Sequence, residues 1–530
     1  MTTERTGAPA RVVVIGLDAA NPRLVRQWMA DGTLPALRAL MQRGVTGDTT
    51  GVAGFFIGST WPSFYTGVSP AGHGVHYLVQ LDPGTYKYRR MASGSFVTRD
   101  PFWTALGRAG LRTAILDVPL TKLAPPVHGM QIVEWGSHDA AFGFGASPPE
   151  VAAEVMSRFG AHPLIGPCDA TRRTGEDYAR FVDTLVEGVR RKTQLTRHYL
   201  AQGGWDFFMQ VFTEAHCAGH QCWHLHDASH PAHDPAVAAR IGDPLRRVYH
   251  ALDAAIGEIV AMAGDALVVV VVPHGMSHWY GAQFLFEEIL VRLGVSQRRA
   301  SAAPVESGAP SLFTAARWVW RRLPASLRGA LAPVRSRLRA EQPREPGMGV
   351  DTAASRCFPV LNGLAVGAIR LNIIGREPRG LLAAGAEADA FARRLGESLL
   401  RVVDERTGRP AVTRVMRTSE AYQGEYLDTL PDLLVEWSDS VATGSCTVGD
   451  GIGALVRLSS PEIGVVEGSN DYGRTGENRP DGLFIAAGGG VAPSASGLRA
   501  SLLDFAPTFG ALFGVDIPGD GRRIPELRLR

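Results

Sequence analysis

The sequence predicts an α/β fold in which a mostly parallel β-sheet is covered by helices on both faces. Short apolar runs rich in β-branched residues recur along the chain, bounded by Gly, Asp or Pro: RVVVIGLD, RTAILDV, DFFMQVF, DALVVVVVP, DLLVEW and DGLFIAAG. Strands that are apolar without interruption are typical of a parallel sheet buried on both faces. Segments with helical periodicity alternate with these runs, and this alternation favours an α/β sheet.

Five segments carry the helical pattern of apolar residues. They are residues 22–44, 101–110, 175–202, 243–262 and 384–405. Two of the predicted strands are followed at their carboxyl ends by a polar residue, Asp18 in the first case and His274 in the second. Because ligands of open α/β sheets bind beyond the carboxyl ends of the strands, we expect the functional site near these two residues.

The composition is that of a globular protein with a large core. Of the 530 residues, 45% are apolar and 20% are charged, and the net charge of +2 gives no overall basic field that would indicate nucleic acid. The first ten residues contain no apolar signal-peptide core, and no stretch approaches the roughly 20 apolar residues of a membrane span. Five cysteines fit reduced thiols, and the spacing of Cys217 and Cys222 favours neither a disulfide nor a zinc knuckle. These observations predict a cytoplasmic protein.

One segment differs in composition from the rest of the chain. Residues 296–351 are rich in Arg, Ala, Pro and Ser, with a basic helical stretch near 313–339 that contains Trp318 and Trp320. We therefore predict a core formed by residues 1–295 and 352–530, interrupted by this basic insert. The insert is interpreted as a helical cap or mobile loop; a helix that binds a partner or a membrane surface, and a lid over the substrate, are the alternatives.

Two motifs near the N-terminus carry groups suited to metal-assisted chemistry. Asp18 in VVVIGLDAANP is a hard oxygen ligand at a strand end, although an Asp there is commonly a turn or cap residue. In GSTWPSFYTGVSPAGHGV, Ser59 and Thr60 lie just before a predicted helix start. A hydroxyl in this place can attack phosphorus, and its alternative role is that of an N-cap.

A histidine-rich segment follows the strand DFFMQVF. Six of the 15 histidines of the chain fall between residues 216 and 233. His216 and His220 are four residues apart, so on a helix they share one face and can bind one metal ion. The later histidines at 230 and 233 are interpreted as loop residues. The density of imidazoles favours metal ligation over a purely structural role.

The order of six motifs resembles the type I phosphodiesterase/nucleotide pyrophosphatase branch of the alkaline phosphatase superfamily. The motifs are GLD, a hydroxyl followed by TG–P–HG, a D-x-x-x-H counterpart at residues 216–220, PHGM for D-H-G-M, TGEN for T-G-x-H, and LLDFAPT. Singly each motif is weak, but they occur in the family order along nearly the whole chain. The resemblance implies an alkaline-phosphatase-like core sheet with inserted cap segments.

The resemblance also implies a mechanism and its residues. Enzymes of this family hold two metal ions, commonly Zn²⁺, and one ion activates a Thr or Ser nucleophile that forms a covalent phospho-enzyme. By position in the motifs, Asp18, His220 and His274 correspond to metal ligands. Thr60 corresponds to the nucleophile and to a further metal ligand, with Ser59 as the alternative because the spacing to the TG motif is short.

Three ligand positions depart from the family pattern. His216 stands in place of an Asp, Pro273 in place of the Asp before His-Gly-Met, and Asn478 in place of the late His. We expect one metal group with His216, His220 and Asn478, and another with Asp18, His274 and the hydroxyl. Three further side chains are candidates for substitute ligands: Glu214, His278 and Glu477.

These residues predict a metal-dependent hydrolase or transferase of a small-molecule phosphoester, with a phosphodiester or nucleotide-like compound as the expected substrate. One or two Zn²⁺ ions are the expected cofactor. Two alternatives follow from the altered ligands. The fold could serve other group-transfer or lyase chemistry with one metal or none, or it could be a binding protein without catalysis. The sequence does not indicate an oligomeric state.

Overall fold

The structure is a computed structural model that describes eleven parts of the chain. These are residues 11–91, 96–124, 128–138, 140–164, 173–299, 349–439, 446, 448, 453–470, 472–494 and 497–529. The basic helical stretch predicted near 313–339, with its two tryptophans, lies outside the described residues. No helix within these ranges is long and apolar enough to cross a bilayer.

The described strands and helices alternate along most of the chain. The strands are β1 (Val12–Leu17), β2 (Gly44–Thr50), β3 (Val79–Leu81), β4 (Tyr88–Arg90), β5 (Thr113–Leu116), β6 (Gly129–Val133), β7 (Gly145–Ser147), β8 (Phe207–Phe212), β9 (Leu267–Val272), β10 (Gly275–His278), β11 (Cys357–Val360), β12 (Val366–Leu371), β13 (Val403–Asp404), β14 (Val412–Arg417), β15 (Leu433–Trp437), β16 (Leu455–Ser460), β17 (Gly464–Ser469), β18 (Gly476–Arg479), β19 (Asp481–Ala487) and β20 (Leu498–Ser501). The α-helices are α1 (Pro22–Ala30), α2 (Pro35–Gln42), α3 (Thr60–Thr66), α4 (Pro70–His73), α5 (Phe102–Arg108), α6 (Glu150–Phe159), α7 (Gly175–Leu200), α8 (Glu214–His226), α9 (Pro235–Ile241), α10 (Pro244–Ala263), α11 (Phe286–Arg292), α12 (Ala386–Leu400), α13 (Thr418–Ala421) and α14 (Phe505–Leu512).

The central sheet has nine strands in the order β20-β2-β19-β9-β1-β8-β5-β6-β7. The strands run parallel except β19 and β7, which are antiparallel to their neighbours. The predicted α/β class with a mostly parallel sheet is therefore confirmed. Smaller antiparallel sheets flank it: β11-β12-β15-β14, β13-β16-β17, β10-β18 and β3-β4.

The apolar strands divide their side chains between two cores, because successive side chains of a strand point to opposite faces. In β1, Val12 and Val14 belong to one core, whereas Val13, Ile15 and Leu17 belong to the other. The first core contains α3, α5 and α14 with the four-stranded sheet, and the second contains α1, α2, α7, α8 and α10. Burial on both faces explains why the central strands lack polar alternation.

The segment 22–44, predicted as one helical region, forms two helices followed by the start of a strand. Asn21 caps α1, since its side chain accepts a hydrogen bond from the Leu24 amide at 2.7 Å. Between the helices Gly32 has a φ of +83°, and Pro35 begins α2. Proline has no N–H and fixes its own φ, so it starts a new helix here and does not continue the first.

The two ends of the predicted insert at residues 296–351 lie side by side in the structure. The amide of Arg299 donates to the Gly349 carbonyl at 2.9 Å, and the amide of Asp351 donates to the Gln297 carbonyl at 2.8 Å. The Ser296 hydroxyl donates to the Cys357 carbonyl at 2.7 Å and so connects the first end of the insert to β11. Hydrogen bonds between its two ends are what an insertion between two parts of one core requires. The division of the chain into core and insert stays a prediction.

We predict that Phe509→Ala lowers the free energy of unfolding by about 3–5 kcal/mol. The Phe509 ring is fully buried and lies within 6.2 Å, centroid to centroid, of Phe64, Phe102, Phe207 and Phe505. Removing it leaves a cavity between α14 and the sheet. Guanidinium-induced unfolding followed by tryptophan fluorescence measures the loss.

The control for this prediction is Leu455→Ala, because Leu455 is 60% exposed. We expect this substitution to change the free energy of unfolding by no more than about 0.5 kcal/mol. Equal losses in the two variants would contradict the assignment of Phe509 to a packed core.

Candidate active site

The candidate site lies at the carboxyl edge of the central sheet, where three adjacent strands end. β1 pairs in parallel with β8 on one side and with β9 on the other. Asp18 follows β1, His274 follows β9 after Pro273, and α8 begins after β8 with His216 in its first turn. Parallel neighbours end at the same edge, so three distant segments bring Asp18, His216 and His274 together.

Asp18 is the buried anion of the site. Its Oδ1 accepts a hydrogen bond from Trp61 Nε1 at 2.8 Å, and its Oδ2 lies 2.6 Å from His216 Nδ1. His274 Nδ1 is 3.9 Å from Oδ1. Burial raises the pKa of Asp18, but the charge of His216 and its hydrogen bond, then His274 and Trp61, hold this pKa well below its usual range. The carboxylate is therefore ionised and faces two imidazoles.

His220 presents a lone pair toward the same space. Its Nδ1 is 2.8 Å from the Gly476 carbonyl oxygen, which only accepts, so Nδ1 carries the hydrogen and Nε2 is an acceptor. His220 Nε2 lies 2.8 Å from His216 Nε2. A Cβ on Gly476 would lie 2.2 Å from the Gly219 carbonyl oxygen, so glycine is required for β18 to approach α8 this closely.

Two groups of side chains have the geometry to hold a metal ion. The ligand atoms of Asp18, His216 and His274 lie within 4.8 Å of one another, and so do those of His138, His216 and His220. Four of the five residues are buried and the His216 side chain is 12% exposed, and the Nδ1 of His274 has no hydrogen-bond partner within the described part of the chain. A carboxylate with imidazoles, one of which has an unpartnered ring nitrogen, is a donor set that fits a divalent cation.

His216 belongs to both groups and faces each with a different nitrogen. Nδ1 faces Asp18, whereas Nε2 faces His220. Asp18 and His220 Nε2 both accept, so both ring nitrogens of His216 carry hydrogens in this arrangement. On loss of one hydrogen the imidazole has a single lone pair, so it can ligate on one side only. Both groups therefore cannot use His216 for an ion at the same time.

The sequence interpretation missed His138, which follows β6 in the segment WGSHD. Its ring centroid lies 4.1 Å from that of His216, and its Nδ1 is 3.5 Å from Cys217 Sγ. Asp117 holds the preceding turn, since it accepts from the amides of residues 135 and 136, both at 2.9 Å, and from Ser137 Oγ at 3.0 Å. The available signal was a polar residue shortly after a strand end.

A buried lysine neutralises Asp117 behind the site. Lys192 Nζ lies 3.0 Å from Asp117 Oδ2 and 3.8 Å from Glu214 Oε1, with all three side chains at most 1% exposed. His162 Nε2 is 3.3 Å from the same Glu214 oxygen. Glu214, a candidate substitute ligand, thus belongs to this buried cluster and to neither metal group.

The two candidate nucleophiles lie on either side of the start of α3. The Thr60 hydroxyl donates to the Phe56 carbonyl at 2.7 Å. Ser59 Oγ lies 2.8 Å from Ser63 Oγ and 3.5 Å from His73 Nε2. The expected helix start is thus where the sequence predicts it, and Trp61, the residue after Thr60, bonds directly to Asp18.

The other predicted residues lie around the site with different neighbours. Asn478 lies beside His274, because β18 pairs with β10 just after His274, and its grouping with His216 and His220 stays a prediction. Glu477 Oε1 accepts from the Asn478 amide at 2.9 Å. His278, at the end of β10, belongs to neither metal group among the described residues.

Comparison with known protein families gives the class of protein to which this fold and site belong. The chain matches the model of the type I phosphodiesterase / nucleotide pyrophosphatase family over residues 12–344. It therefore belongs to this family of phosphoryl-transfer hydrolases, and the predicted family and enzyme class are confirmed. No curated protein matches the chain significantly in sequence.

Solved structures with a similar fold are distant in sequence. Phosphonoacetate hydrolase from Sinorhizobium meliloti 1021, in complex with phosphonoformate, has a TM-score of 0.50 at 14% identity, with 95% of each chain covered. Murine ectonucleotide pyrophosphatase / phosphodiesterase 5 has a TM-score of 0.43 at 13% identity, with 96% of this chain and 97% of that chain covered. At these identities, the likeness to phosphonoacetate hydrolase supports the fold alone.

We predict that Lys192→Met lowers the free energy of unfolding by about 3–5 kcal/mol, because it leaves the buried carboxylate of Asp117 without its cation. Chemical denaturation measures the loss. The matched control is Lys87→Met on the exposed surface, with an expected change within about 0.5 kcal/mol. A Lys192→Met variant as stable as the control would show that this ion pair does not support the site.

Proposed function

We propose that the protein is a metal-dependent hydrolase of small phosphoesters, with a phosphodiester or nucleotide-like compound as substrate. The observation that carries the proposal is the group formed by Asp18, His216 and His274 at the carboxyl edge of the sheet, within 4.8 Å of one another. Family membership supplies the reaction class, and the buried carboxylate with two imidazoles supplies the means to hold a cation.

We further propose that Asp18, His216 and His274 hold one Zn²⁺ ion. Zinc favours nitrogen and oxygen ligands in this number, leaving a position for substrate. When bound, such an ion polarises a phosphoryl oxygen and lowers the pKa of an oxygen nucleophile. Asp18 is anionic, and burial lowers the pKa of His274 to about 4, so its imidazole is neutral at pH 7. The sharing of His216 favours one ion over two.

Thr60 is the proposed nucleophile, and the contacts of Ser59 support this choice. The amide of Val75 donates to His73 Nδ1 at 3.2 Å, so His73 Nε2 carries the hydrogen and donates to Ser63 or Ser59. His73 therefore cannot accept the Ser59 proton, and burial lowers the pKa of His73 to about 3. Among the described residues the Thr60 hydroxyl donates to the Phe56 carbonyl alone, so it must break one hydrogen bond to turn toward a substrate, and its neighbour Trp61 contacts Asp18.

We predict about one equivalent of zinc per chain, measured by elemental mass spectrometry after incubation with Zn²⁺ and desalting. Asp18→Ala and His274→Ala should each remove most of this zinc, whereas His138→Ala should retain it. His250→Ala, in the exposed face of α10, is the control. Two equivalents that fall to one in His138→Ala would contradict the single-ion site, and no zinc in any form would contradict metal dependence.

We predict that Thr60→Ala lowers the turnover of bis(p-nitrophenyl) phosphate at least roughly a thousand-fold, because the attacking oxygen is lost. Zinc content should stay unchanged. Ser59→Ala should retain turnover within about tenfold.

Thr66→Ala is the matched control, since the Thr66 hydroxyl donates to the Pro62 carbonyl at 2.6 Å in the same helix, as Thr60 does to Phe56. If Ser59→Ala abolishes turnover and Thr60→Ala does not, the assignments are reversed. If wild-type protein with bound zinc hydrolyses no diester in a broad panel, the two alternatives, other group-transfer chemistry and ligand binding without catalysis, take its place.

A further inference from the structure

Trp61, the second residue of α3, connects this helix to the carboxylate of Asp18. Its Nε1 donates to Asp18 Oδ1 at 2.8 Å, and the residue is 3% exposed. The ring lies against β1, where glycine leaves room for it: a Cβ on Gly16 would lie 2.9 Å from Cη2 of Trp61. The Phe64 ring packs on it edge-on, with the two centroids 5.5 Å apart. The indole is therefore packed between α3 and the central strand, with its N–H on Asp18.

Two side chains donate to Asp18 among the described residues, and only Trp61 lies outside the proposed metal group. His216 Nδ1 is 2.6 Å from Oδ2, but a ring nitrogen that binds an ion has no hydrogen to donate. The indole nitrogen is a donor only, so it can donate to the carboxylate whether or not an ion is bound. Within the described part of the chain, Trp61 is thus the side chain that can keep its hydrogen bond to Asp18 in the zinc-bound site.

This hydrogen bond also fixes the direction in which Asp18 presents its two oxygens. Oδ1 faces the indole, whereas Oδ2 faces His216. A carboxylate that rotates freely must lose this freedom when it binds an ion, and one that is already held does not pay this entropic cost. Ligating carboxylates in metal sites are commonly held by a hydrogen bond from outside the ligand set.

We propose that Trp61 is a positioning residue that orients Asp18 for the metal ion. This inference rests on the proposed function and adds a residue that acts through the ligand Asp18. A phenylalanine at this position would fill much of the same space but could not donate to the carboxylate. Because Thr60 directly precedes Trp61, the same hydrogen bond also connects the helix of the proposed nucleophile to the metal group.

The test is the zinc affinity of the full-length protein, measured by competition with a chromophoric chelator. Trp61→Phe should bind zinc about 10- to 100-fold more weakly than wild type, because the outer hydrogen bond to the ligand is lost. Trp103→Phe is the matched control. Trp103 is fully buried in the same core, and its Nε1 has no hydrogen-bond partner among the described residues. This control loses the same part of an indole ring but no contact with a ligand, so its zinc affinity should match that of wild type.

A second variant removes the N–H and keeps the shape of the ring. Site-specific replacement of Trp61 by benzothienylalanine puts sulfur in place of the indole N–H, so the packing against Gly16 and Phe64 is retained. We expect the same loss of zinc affinity as in Trp61→Phe. This variant decides the test if Trp61→Phe does not fold.

Unchanged zinc affinity in the folded variants at position 61 would overturn the inference. An equal loss in Trp103→Phe would also overturn it, because the loss would then follow from packing and not from the hydrogen bond. A wild-type protein that binds no zinc would overturn both this inference and the proposed function. Zinc binding that depends on the Trp61 N–H, in a protein without diester turnover, would support the role of Trp61 while contradicting the proposed hydrolase.

Discussion

The charge of Asp18 must be compensated inside the protein, because this carboxylate is 2% exposed at the end of the central strand. An isolated buried carboxylate is costly, and its removal from water is tolerated only with hydrogen bonds and opposite charge. Trp61 and His216 supply the hydrogen bonds, and His274 faces the same oxygen as Trp61. These partners come from α3, α8 and the end of β9. Compensation of the buried charge therefore requires that a helix from each face of the sheet and the end of a neighbouring strand meet at Asp18.

The ligand substitutions of the site form a consistent electrostatic pattern. His216 replaces an Asp of the family motif, Pro273 offers no ligand, and Asn478 offers a weak one, so the site holds fewer negative charges than the family pattern implies. Fewer anionic ligands favour fewer divalent ions. Arg474 beside His220 adds a permanent positive charge on the side where the second group lies. This charge balance is consistent with the single ion that we propose.

The sequence predicted the central sheet and the edge that carries the site, because strands buried on both faces leave an uninterrupted apolar pattern and end at a polar residue. It predicted in this way that Asp18 and His274 lie at the edge, and it predicted from their spacing that His216 and His220 share one face of a helix; the roles of these residues as ligands stay predictions. It joined helices α1 and α2 into one segment, since their apolar periodicity continues across the break at Gly32 and Pro35.

Contacts between segments that are distant in the sequence could not be predicted from local sequence patterns. His138 reaches the site from the turn after β6, and only the order of β8, β5 and β6 in the sheet brings it to His216 on α8, the helix that follows β8. Lys192 was missed because a single lysine on a long amphipathic helix has no sequence signal for burial. The neighbour of Asn478 was equally out of reach, since strand pairing between β18 and β10 decides it. The nucleophile and the metal remain predictions.

The most direct test of this account is anomalous X-ray diffraction at the zinc absorption edge from crystals grown with Zn²⁺. The account predicts one strong anomalous peak per chain, within about 2.0–2.2 Å of a carboxylate oxygen of Asp18 and of one nitrogen each from His216 and His274. A peak coordinated by His138, His216 and His220, or no peak beside Asp18 at saturating zinc, would contradict it.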